Sequence, residues 1–537
     1  MFATDRAHKL ATLFITCIGF FMVLLDASIV TVALPTIQSH LHATISDLQW
    51  VVDAYTLPFA ALLMSAGTLG DRFGRKRIFV AGLLIFTIGS ALCWLAPSLG
   101  WLIVGRVIQG AGGAALSPGS LAVLAAAFTD PRERTQAIGI ASGVSGIGIA
   151  AGPLVGGMLI QAGGWQTIFF VNVPIGLIVL LLGGRYLSES RNPQARSLDL
   201  PGQILSIVAL AALTYALIEG QSQGWGSQLI VGLFIAAAVL ALSFIVVEAR
   251  QPEPLLPLDL FRNRIFSVAN IAAFVVGFAL LGTVFFVSQY FQEVQGLTAL
   301  SSGLHTLPNT AGIFIVAPLA GRITARFGPR IPVTLGALLS GVALLLLTRL
   351  DATTPYGAIW WNLAMLGTGF GFMLSPITAA ILGATPANRS GLGSSIVNTS
   401  RQVGSVFGIA VLGAIVAAQF TERLTAGFTA LGIPHAVSGR LASAVAGSGA
   451  SAGARIAPLL RHAHVQVVGG AVRQAVGQSF TQALHPSFVV SGVALLIVAL
   501  LSLAFLGQPV GVHGAAQSVP TNVENADGME AIATEIG

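Results

Sequence analysis

Fourteen apolar runs, each long enough to cross a lipid bilayer as a helix, constrain this chain more than any other feature of its sequence. A bilayer-spanning helix needs about 20 mainly apolar residues, because each residue advances the helix by about 1.5 Å. In windows of about 19 residues, the predicted spans cover residues 11–34, 50–70, 78–96, 101–123, 136–162, 167–187, 201–219, 228–248, 265–290, 303–321, 331–348, 357–382, 393–418 and 487–507. We therefore expect an all-α polytopic membrane protein that has the lipid bilayer as its surroundings.

The composition excludes the soluble alternatives. Hydrophobic residues make up 55% of the 537 residues, whereas Asp, Glu, Lys and Arg together make up 9%. A soluble domain carries about 25% charged residues, so a soluble enzyme and a disordered scaffold are poor interpretations. The net charge of +6 does not indicate a nucleic-acid partner either, because the 26 basic residues form no basic stripe.

The basic residues predict the orientation of the spans. Lys and Arg concentrate in cytoplasmic loops, and eighteen of the 26 lie in alternate segments beginning with the N-terminal one. The short loops between them hold only Arg349, while the long segment 419–486 holds five more. We expect a bacterial cytoplasmic membrane protein with both termini in the cytoplasm and residues 508–537 as a disordered cytoplasmic tail.

No sequence pattern indicates a metal or a bound cofactor. Cys17 and Cys93 lie inside apolar runs and form no metal-ligand spacing. The stretch Gly110-Ala-Gly112-Gly-Ala-Ala115 fits a dinucleotide-binding pattern, but no strand precedes it. Four histidines lie in 419–486 without a supporting Cys or carboxylate. We expect no cofactor, so any transport would be driven by an ion gradient or by a partner subunit.

An internal repeat divides the chain into two halves. The stretch Gly67-Thr-Leu-Gly-Asp71-Arg72-Phe73-Gly74-Arg75-Lys76 recurs as Gly321-Arg-Ile-Thr-Ala325-Arg326-Phe327-Gly328-Pro329-Arg330. Three further matches follow in the same order at nearly the same offset, among them Leu116-Ser117-Pro118 with Leu374-Ser375-Pro376. We predict a first six-helix half at 1–190, two additional linker helices at 191–264, and a second six-helix half at 265–507 that includes an extracytoplasmic segment at 419–486.

Three ionisable residues at membrane depth are the foremost candidates for function. Asp26 and Arg106 lie inside predicted spans, where a charge is costly and is by default a functional hypothesis. A carboxylate that alternates between water and a dry site can bind and release a proton, and an arginine beside it lowers the cost of burial. Asp53 is about four residues into its span, shallow enough to be interfacial instead.

Two glycine-rich motifs are candidates for conformational roles. The loop containing Gly67, Asp71, Arg72, Gly74 and Arg75 is interpreted as structural and gating, the alternative being a simple cytoplasmic anchor. In span five, Gly148, Gly152, Pro153, Gly156 and Gly157 permit close helix packing and a proline kink. The second half has Ile409 where the proline would be, so the kink is expected only in the first half.

Taken in order, the motifs resemble those of the major facilitator superfamily, and specifically its fourteen-span drug:proton antiporters. The resemblance rests on Leu25-Asp26-Ala-Ser-Ile29, the loop Gly67 to Arg77, Gly105-Arg106-Val-Ile-Gln109-Gly110, Gly148 to Gly157, Val171-Asn172-Val-Pro174 and Asn398-x-x-Arg401-Gln402-x-Gly404. It covers nearly the whole chain apart from 419–486 and the tail. Two departures are Ala325 in place of a second acidic loop residue and the absence of a carboxylate in the middle of span thirteen.

The resemblance implies a major facilitator fold and export of small amphipathic drugs or antibiotics in exchange for protons, by a transporter that is not an enzyme and acts as a monomer. Proton coupling is assigned to Asp26, Arg106 and Asp53. A substrate cavity is assigned to Phe59, Gln109, Asn172, Phe278, Phe285, Tyr290, Trp361, Asn398 and Arg401, with Phe286 and Phe370 as further aromatic candidates. Core packing or lipid contact is the alternative for each aromatic ring, and Arg401 could instead extend towards the membrane surface. Export of an endogenous lipid or secondary metabolite, and a membrane enzyme or receptor, remain open alternatives.

Overall fold

The computed structural model describes residues 2–191, 198–386, 389–446 and 469–507. The predicted tail 508–537 lies outside the described residues. Within them the chain is helical and contains no strand. The helices are α1 (Phe2–Leu41), α2 (Ile45–Phe73), α3 (Arg75–Trp94), α4 (Leu99–Ala127), α5 (Pro131–Gly163), α6 (Thr167–Phe170), α7 (Asn172–Tyr186), α8 (Leu200–Gln223), α9 (Gln228–Arg250), α10 (Arg264–Gln289), α11 (Ala299–Phe327), α12 (Arg330–Leu347), α13 (Trp360–Ala384), α14 (Ser390–Ala430), α15 (His435–Ala446) and α16 (Gly469–Phe505).

Twelve helical segments in the described part of the chain are long and apolar enough to cross a membrane, which makes the protein a multi-pass membrane protein. One of them joins α6 and α7 as Thr167–Tyr186. The two remaining predicted spans are present as α5 and α11, which do not belong to the twelve. The predicted count of fourteen membrane crossings therefore stays a prediction.

Several predicted boundaries are wrong, most of all around the segment 419–486. Helix α14 continues to Ala430 instead of ending at residue 418, and α16 begins at Gly469 instead of residue 487. The two extensions pack together: the rings of Phe420 and Phe480 lie 5.5 Å apart in an edge-to-face arrangement. Apolar residues at helical spacing continue past the bilayer-length window here, and a hydropathy window does not detect such an extension.

The helices pack in corresponding ways in the two halves. Helix α1 packs against α5 and α3 against α4; in the second half α10 packs against α14 and α12 against α13. The halves meet along two seams, α2 with α14 and α5 with α11. The linker helices α8 and α9 pack against each other, and α8 also contacts α2 and α14.

Contacts across both seams lie at one end of the bundle, which we call the far end because it is opposite the end that carries the basic loops. The side-chain amide of Gln49, near the start of α2, donates to the carbonyl of Ile409 at 2.7 Å. On the other seam, a Cβ at Gly157 would meet Leu300 Cα at 2.4 Å, so α5 and α11 are in direct backbone contact. The two halves are therefore closed against each other at the far end.

Candidate functional site

A buried ion pair joins α1 to α4. Nη1 of Arg106 lies 2.5 Å from Oδ2 of Asp26. The exposed fraction is 0% for Asp26 and 1% for Arg106. Burying an ion pair costs desolvation free energy, which is offset only by good geometry and further hydrogen bonds. The stability of this pair therefore depends on the groups around it.

Amides from two other places in the first half complete the carboxylate's partners. Oδ1 of Asp26 accepts from the side-chain amides of Gln109 at 3.0 Å and Asn172 at 3.1 Å. The Gln109 amide nitrogen also lies 2.8 Å from Oγ of Ser90. Side chains of α4 and α7 thus converge on the carboxylate of α1, and α3 contributes Ser90, which contacts Gln109. The two amides, predicted for the substrate cavity, act here as donors to Asp26.

The arginine has further partners on α2. Its Nε donates to the carbonyl of Val51 at 3.0 Å, and its guanidinium lies 4.3 Å from the centre of the Tyr55 ring. The hydroxyl of Tyr55 donates in turn to the carbonyl of Val23 on α1 at 3.2 Å. A cation over an aromatic face is stabilised by the ring quadrupole. Tyr55 belongs to none of the sequence motifs, and it lies one helical turn after Val51, at the spacing that places both on one face.

Glycines in α4 let the neighbouring helices come close enough to form this cluster. A Cβ at Gly110 would lie 2.3 Å from the backbone oxygen of Tyr55, and one at Gly112 would lie 2.4 Å from the backbone nitrogen of Phe86. The stretch that imitates a dinucleotide pattern therefore serves helix packing against α2 and α3. Cys93 is part of the same contact: its buried sulfur lies 3.5 Å from the side-chain oxygen of Gln109.

Asp53 is in a different environment from the pair. It lies eight residues after the start of α2 and is fully buried within the protein. The choice between an interfacial depth and a coupling role for this residue stays a prediction. Oδ1 accepts from the hydroxyl of Thr56 at 3.1 Å, while Oδ2 has no hydrogen-bond partner. The three residues predicted for proton coupling thus form one ion pair and one separate carboxylate.

The predicted glycine-rich loop motif lies at the junction of α2 and α3, at the basic end of the first half. Asp71 and Arg75 form an ion pair at 2.8 Å, one helical turn apart. Gly74 has a φ of 116°, a conformation that favours glycine, and a Cβ there would lie 2.5 Å from the Glu189 carboxylate. That carboxylate accepts from the backbone of Lys76 at 3.1 Å. Gly67 and Arg72 lie outside these contacts: a Cβ at Gly67 meets nothing within 4 Å, and Arg72 lies over the Phe73 ring.

The span-five motif divides its glycines between two neighbours. Gly148, Gly152 and Gly156 face α1, where a Cβ at Gly152 would collide with the side chain of Ser28. Gly157 faces α11, and Gly303 of α11 packs in return against the carbonyl of Pro153. The motif therefore lies at the junction between the α1 contact and the seam between the halves.

The remaining cavity candidates are dispersed. Phe59 is buried and stacks with Tyr55 at 5.8 Å. Phe285, Phe286, Tyr290 and Phe370 are fully buried in the core, Phe278 is partly buried, and Trp361 is exposed. Arg401 is half-buried and donates to the side-chain oxygen of Asn398 at 2.6 Å. In this conformation the rings have packing partners or face outwards, and of these rings Phe59 reaches the Asp26 cluster, through Tyr55.

Among the described residues no group of three or more His, Cys, Asp or Glu side chains could hold a metal ion. His462 and His464 lie outside the described residues. His485 contacts the carbonyl of Leu350 at 2.9 Å. The chemistry that the site offers is therefore that of one buried carboxylate, held by a cation and two amides.

Comparison with known proteins gives concordant results. The model of the Major Facilitator Superfamily matches residues 16–409. The chain is 42% identical over 417 residues to the multidrug resistance protein Stp of Mycobacterium tuberculosis, covering 78% of this chain and 77% of the relative. It is 35% identical over 502 residues to the tetracenomycin C resistance and export protein of Streptomyces glaucescens, covering 93% and 92%.

Solved structures show the same fold. A bacterial homolog of the human lysosomal transporter Spinster, in an inward-facing and unoccupied conformation, has a TM-score of 0.63 at 17% identity, with 94% of this chain and 99% of that chain covered. A D-xylose–proton symporter has a TM-score of 0.60 at 13% identity, covering 93% and 98%. Together with the family match, these similarities identify a transporter fold rather than an enzyme.

Proposed function

The chain belongs to the major facilitator superfamily, and from that premise we propose that it exports amphipathic drugs or antibiotics in exchange for protons, as a fourteen-span antiporter. The names of the relatives, which refer to multidrug resistance and to resistance and export of an antibiotic, support this class of cargo. The ion pair of Asp26 and Arg106 is the observation that carries the coupling.

The proposed orientation follows the basic loops. Both termini and the basic end face the cytoplasm of a bacterium, across its cytoplasmic membrane, and the protein acts as a monomer. The far end, where Gln49 meets Ile409 and Gly157 meets Leu300, then faces outwards. In this orientation the far-end contacts close the two halves to the outside.

Coupling follows from the partners of the carboxylate. Arg106 and two amide donors surround the carboxylate of Asp26. Rocking of one half against the other separates the seams, and we propose that it thereby shifts α2, which packs against α14 and carries the Val51 carbonyl and the Tyr55 ring that contact Arg106. A carboxylate that loses its cation in a dry site gains affinity for a proton, so Asp26 takes up a proton in one state and releases it in the other.

Replacement of Asp26 by asparagine tests this proposal. We expect Asp26→Asn to abolish ethidium efflux driven by a pH gradient in proteoliposomes, because the amide cannot exchange the proton. Glu422→Gln, which removes an exposed carboxylate on α14, is the matched control and should retain efflux. Full pH-driven efflux by Asp26→Asn would overturn the coupling role.

A loss of folding is distinguished by a second variant. Asp26→Asn leaves Arg106 as an unpaired buried charge, which destabilises proteins by about 3–5 kcal/mol. The double variant Asp26→Asn with Arg106→Gln removes both charges and should melt closer to the parent protein, yet it should still lack coupling.

A substrate screen in an efflux-deficient host distinguishes the cargo classes. Resistance to none of the drugs, with a lipid or metabolite accumulating when the gene is deleted, would favour the alternative cargo.

A further inference from the structure

The linker helix α8 is hydrogen-bonded to α2 at two depths. Near the basic end, the side-chain amide of Gln203 donates to the carbonyl of Ala61 at 2.8 Å, and Ser65 donates to the side-chain oxygen of Gln203. Near the far end, the indole nitrogen of Trp50 donates to Glu219 at 2.9 Å. The two points of α8 are about 24 Å apart at 1.5 Å per residue, so together they prevent α8 from tilting away from α2.

The groups in these attachments are buried or fully partnered. Gln203 and Ser65 are buried. Glu219 is half-buried, and its second carboxylate oxygen accepts from Ser222 at 2.6 Å. Breaking a hydrogen bond between groups removed from water leaves a donor and an acceptor unsatisfied, which is costly. We therefore expect the contact between α2 and α8 to persist when the protein changes conformation.

The contact of α8 with α14 is of the opposite kind. Among the described residues no side-chain hydrogen bond or ion pair joins α8 to α14. An apolar cavity of about 300 Å³, bordered also by α2, α9 and α10, lies between them, with Leu210 and Val403 in its lining. Apolar contacts are non-directional, and side chains beside an unfilled space forgo dispersion contacts. A shift of α8 along α14 therefore leaves no polar group of this contact unpaired.

The second linker helix is fixed to the first at both ends. At the far end, the ring of Trp225 lies against Gly220 of α8, where a Cβ would meet it at 2.4 Å, and stacks with Phe234 of α9 at 6.4 Å. At the basic end, a Cβ at Gly202 of α8 would lie 2.5 Å from Oε1 of Glu248 on α9. The two linker helices therefore form one unit.

The chain passes from this unit to the second half within the loop between α9 and α10. The backbone nitrogen of Leu256 donates to Glu248 at 2.8 Å, which holds the start of the loop to α9. Three residues later, Asp259 pairs with Arg389 at the start of α14 at 2.9 Å. Both side chains of that pair are partly exposed, and such pairs contribute little to stability. The loop thus joins the linker unit to the second half by a weak contact.

The attachment of α8 bears on the part of α2 that serves the proposed coupling. Trp50, which α8 holds, stands between Gln49 and Val51 in the chain. Gln49 bonds to Ile409 across the seam, and the carbonyl of Val51 accepts from Arg106. One short segment of α2 therefore contacts the second half, the linker unit and the buried arginine.

We propose that the two linker helices brace α2 and move with it as part of the first half, while α8 slides along α14 when the halves rock. This inference rests on the proposed function, because the rocking belongs to the proposed export cycle. The inserted helices then support the segment of α2 that meets both the seam and Arg106, although the repeat does not require them.

Reversible cross-links in the full chain test the proposal. Ser65→Cys with Gln203→Cys replaces two side chains in contact, so oxidation links α8 to α2. Leu210→Cys with Val403→Cys, bridged across the cavity by a bis-methanethiosulfonate reagent, links α8 to α14. We expect ethidium efflux from proteoliposomes to survive the first link and to fall several-fold with the second, because only the second joins helices that slide.

The reduced form of each double variant is its own control, and efflux should return on reduction. The native Cys17 and Cys93 are buried, so the reagents do not reach them. Loss of efflux on linking α8 to α2, or full efflux with α8 linked to α14, would overturn the proposal.

Spin-label distances give a second measurement that does not depend on efflux. Labels replace Gly226 between the linker helices, Ser98 in the first half and Thr353 in the second, all exposed at the far end. In nanodiscs at pH 5.5 and pH 8, with and without ethidium, the 98–226 distance should stay narrow and constant. The 226–353 distance should be broader or should shift. Equal widths for the two distances, or variation of the 98–226 distance alone, would contradict the brace.

Removal of the hydrogen bonds tests what holds the brace. Trp50→Phe with Gln203→Leu deletes the amide and indole donors from α2 and α8, and should broaden the 98–226 distance. The matched control is Gln223→Leu, whose amide is exposed and bonds to Tyr215 within α8. An unchanged 98–226 distance in the double variant would show that these bonds do not hold α8. Absence of ethidium efflux by the parent protein, with distances as expected, would contradict the export function alone.

Discussion

The two halves share a packing scheme but treat charge differently. The first half buries Asp26 against Arg106 and surrounds the pair with amides and an aromatic ring. When the halves are aligned on the Leu-Ser-Pro repeat, at an offset of 258 residues, the residue equivalent to Arg106 in the second half is Ala364. There the half-buried Arg401 donates to an amide, Asn398. The comparison indicates that a repeat can keep its helix packing while only one copy keeps the costly charged groups.

Arginine substitutions in the two halves give the largest expected difference. Arg106→Ala leaves Asp26 buried without its cation, so we expect a loss of about 3–5 kcal/mol of unfolding free energy and no pH-driven efflux. Arg401→Ala removes a half-buried arginine with a neutral partner and should retain coupling. Melting curves and proteoliposome efflux of the two variants measure the contrast; loss of coupling by both would show that the halves share the charge function.

Glycine substitutions compare the two helix contacts that correspond in the repeat. A Cβ at Gly408 would lie 2.2 Å from the backbone oxygen of Phe278, whereas one at Gly152 meets the side chain of Ser28. We expect Gly408→Ala and Gly152→Ala each to cost about 1–3 kcal/mol through overpacking. The nearest obstacle at Gly152 is a side chain, whereas the one at Gly408 is backbone. Ser28→Gly should therefore restore stability to Gly152→Ala. Thermal melting of the double variant checks this, and no gain would mean that the α1 backbone also obstructs.

Asp26 and Asp53 are two buried carboxylates of the first half with different partners. Oδ2 of Asp53 lacks a partner, and an unsatisfied buried group is costly. We therefore expect Asp53→Leu to raise stability by about 1 kcal/mol, the opposite sign from Asp26→Leu. Chemical or thermal unfolding in one detergent measures both. A destabilisation of similar size in the two variants would show that Asp53 has partners as strong as those of Asp26.

The ion pair at the junction of α2 and α3 gives the smallest expected effect. The pair of Asp71 and Arg75 is partly exposed, and such pairs contribute about 0.2–1 kcal/mol. Asp71→Ala should lower stability by that amount, while Ala325→Asp in the second half should add nothing, because Pro329 stands where Arg75 stands in the first. A large fall in efflux by Asp71→Ala at unchanged melting temperature would assign the pair a gating role rather than a purely structural one.

Part of the candidate site can be found from sequence because charge is so rare in this chain. Asp26 and Arg106 stand out as single ionisable residues in apolar runs, and the structure joins them. The resemblance places Asn172 and Gln109 in a substrate cavity, and their contacts with Asp26 cannot be found from sequence because the partner lies on another helix. Tyr55, Ser90 and Glu189 carry no signal of their own, since aromatic, hydroxyl and loop acidic residues occur throughout such chains.

The sequence by itself determined the membrane environment, the helical class and the pairing of the two halves, because bilayer length, hydropathy and repeats are properties of the chain read along its length. Only the tertiary structure decided which side chains meet Asp26, that Asp53 is buried apart from it, and that α8 and α9 enclose a pocket beside the seam. The physical reason is range: hydrophobic burial is non-directional and is written in composition, whereas an ion pair or a cavity depends on the rotation and depth of several helices to within an ångström or two.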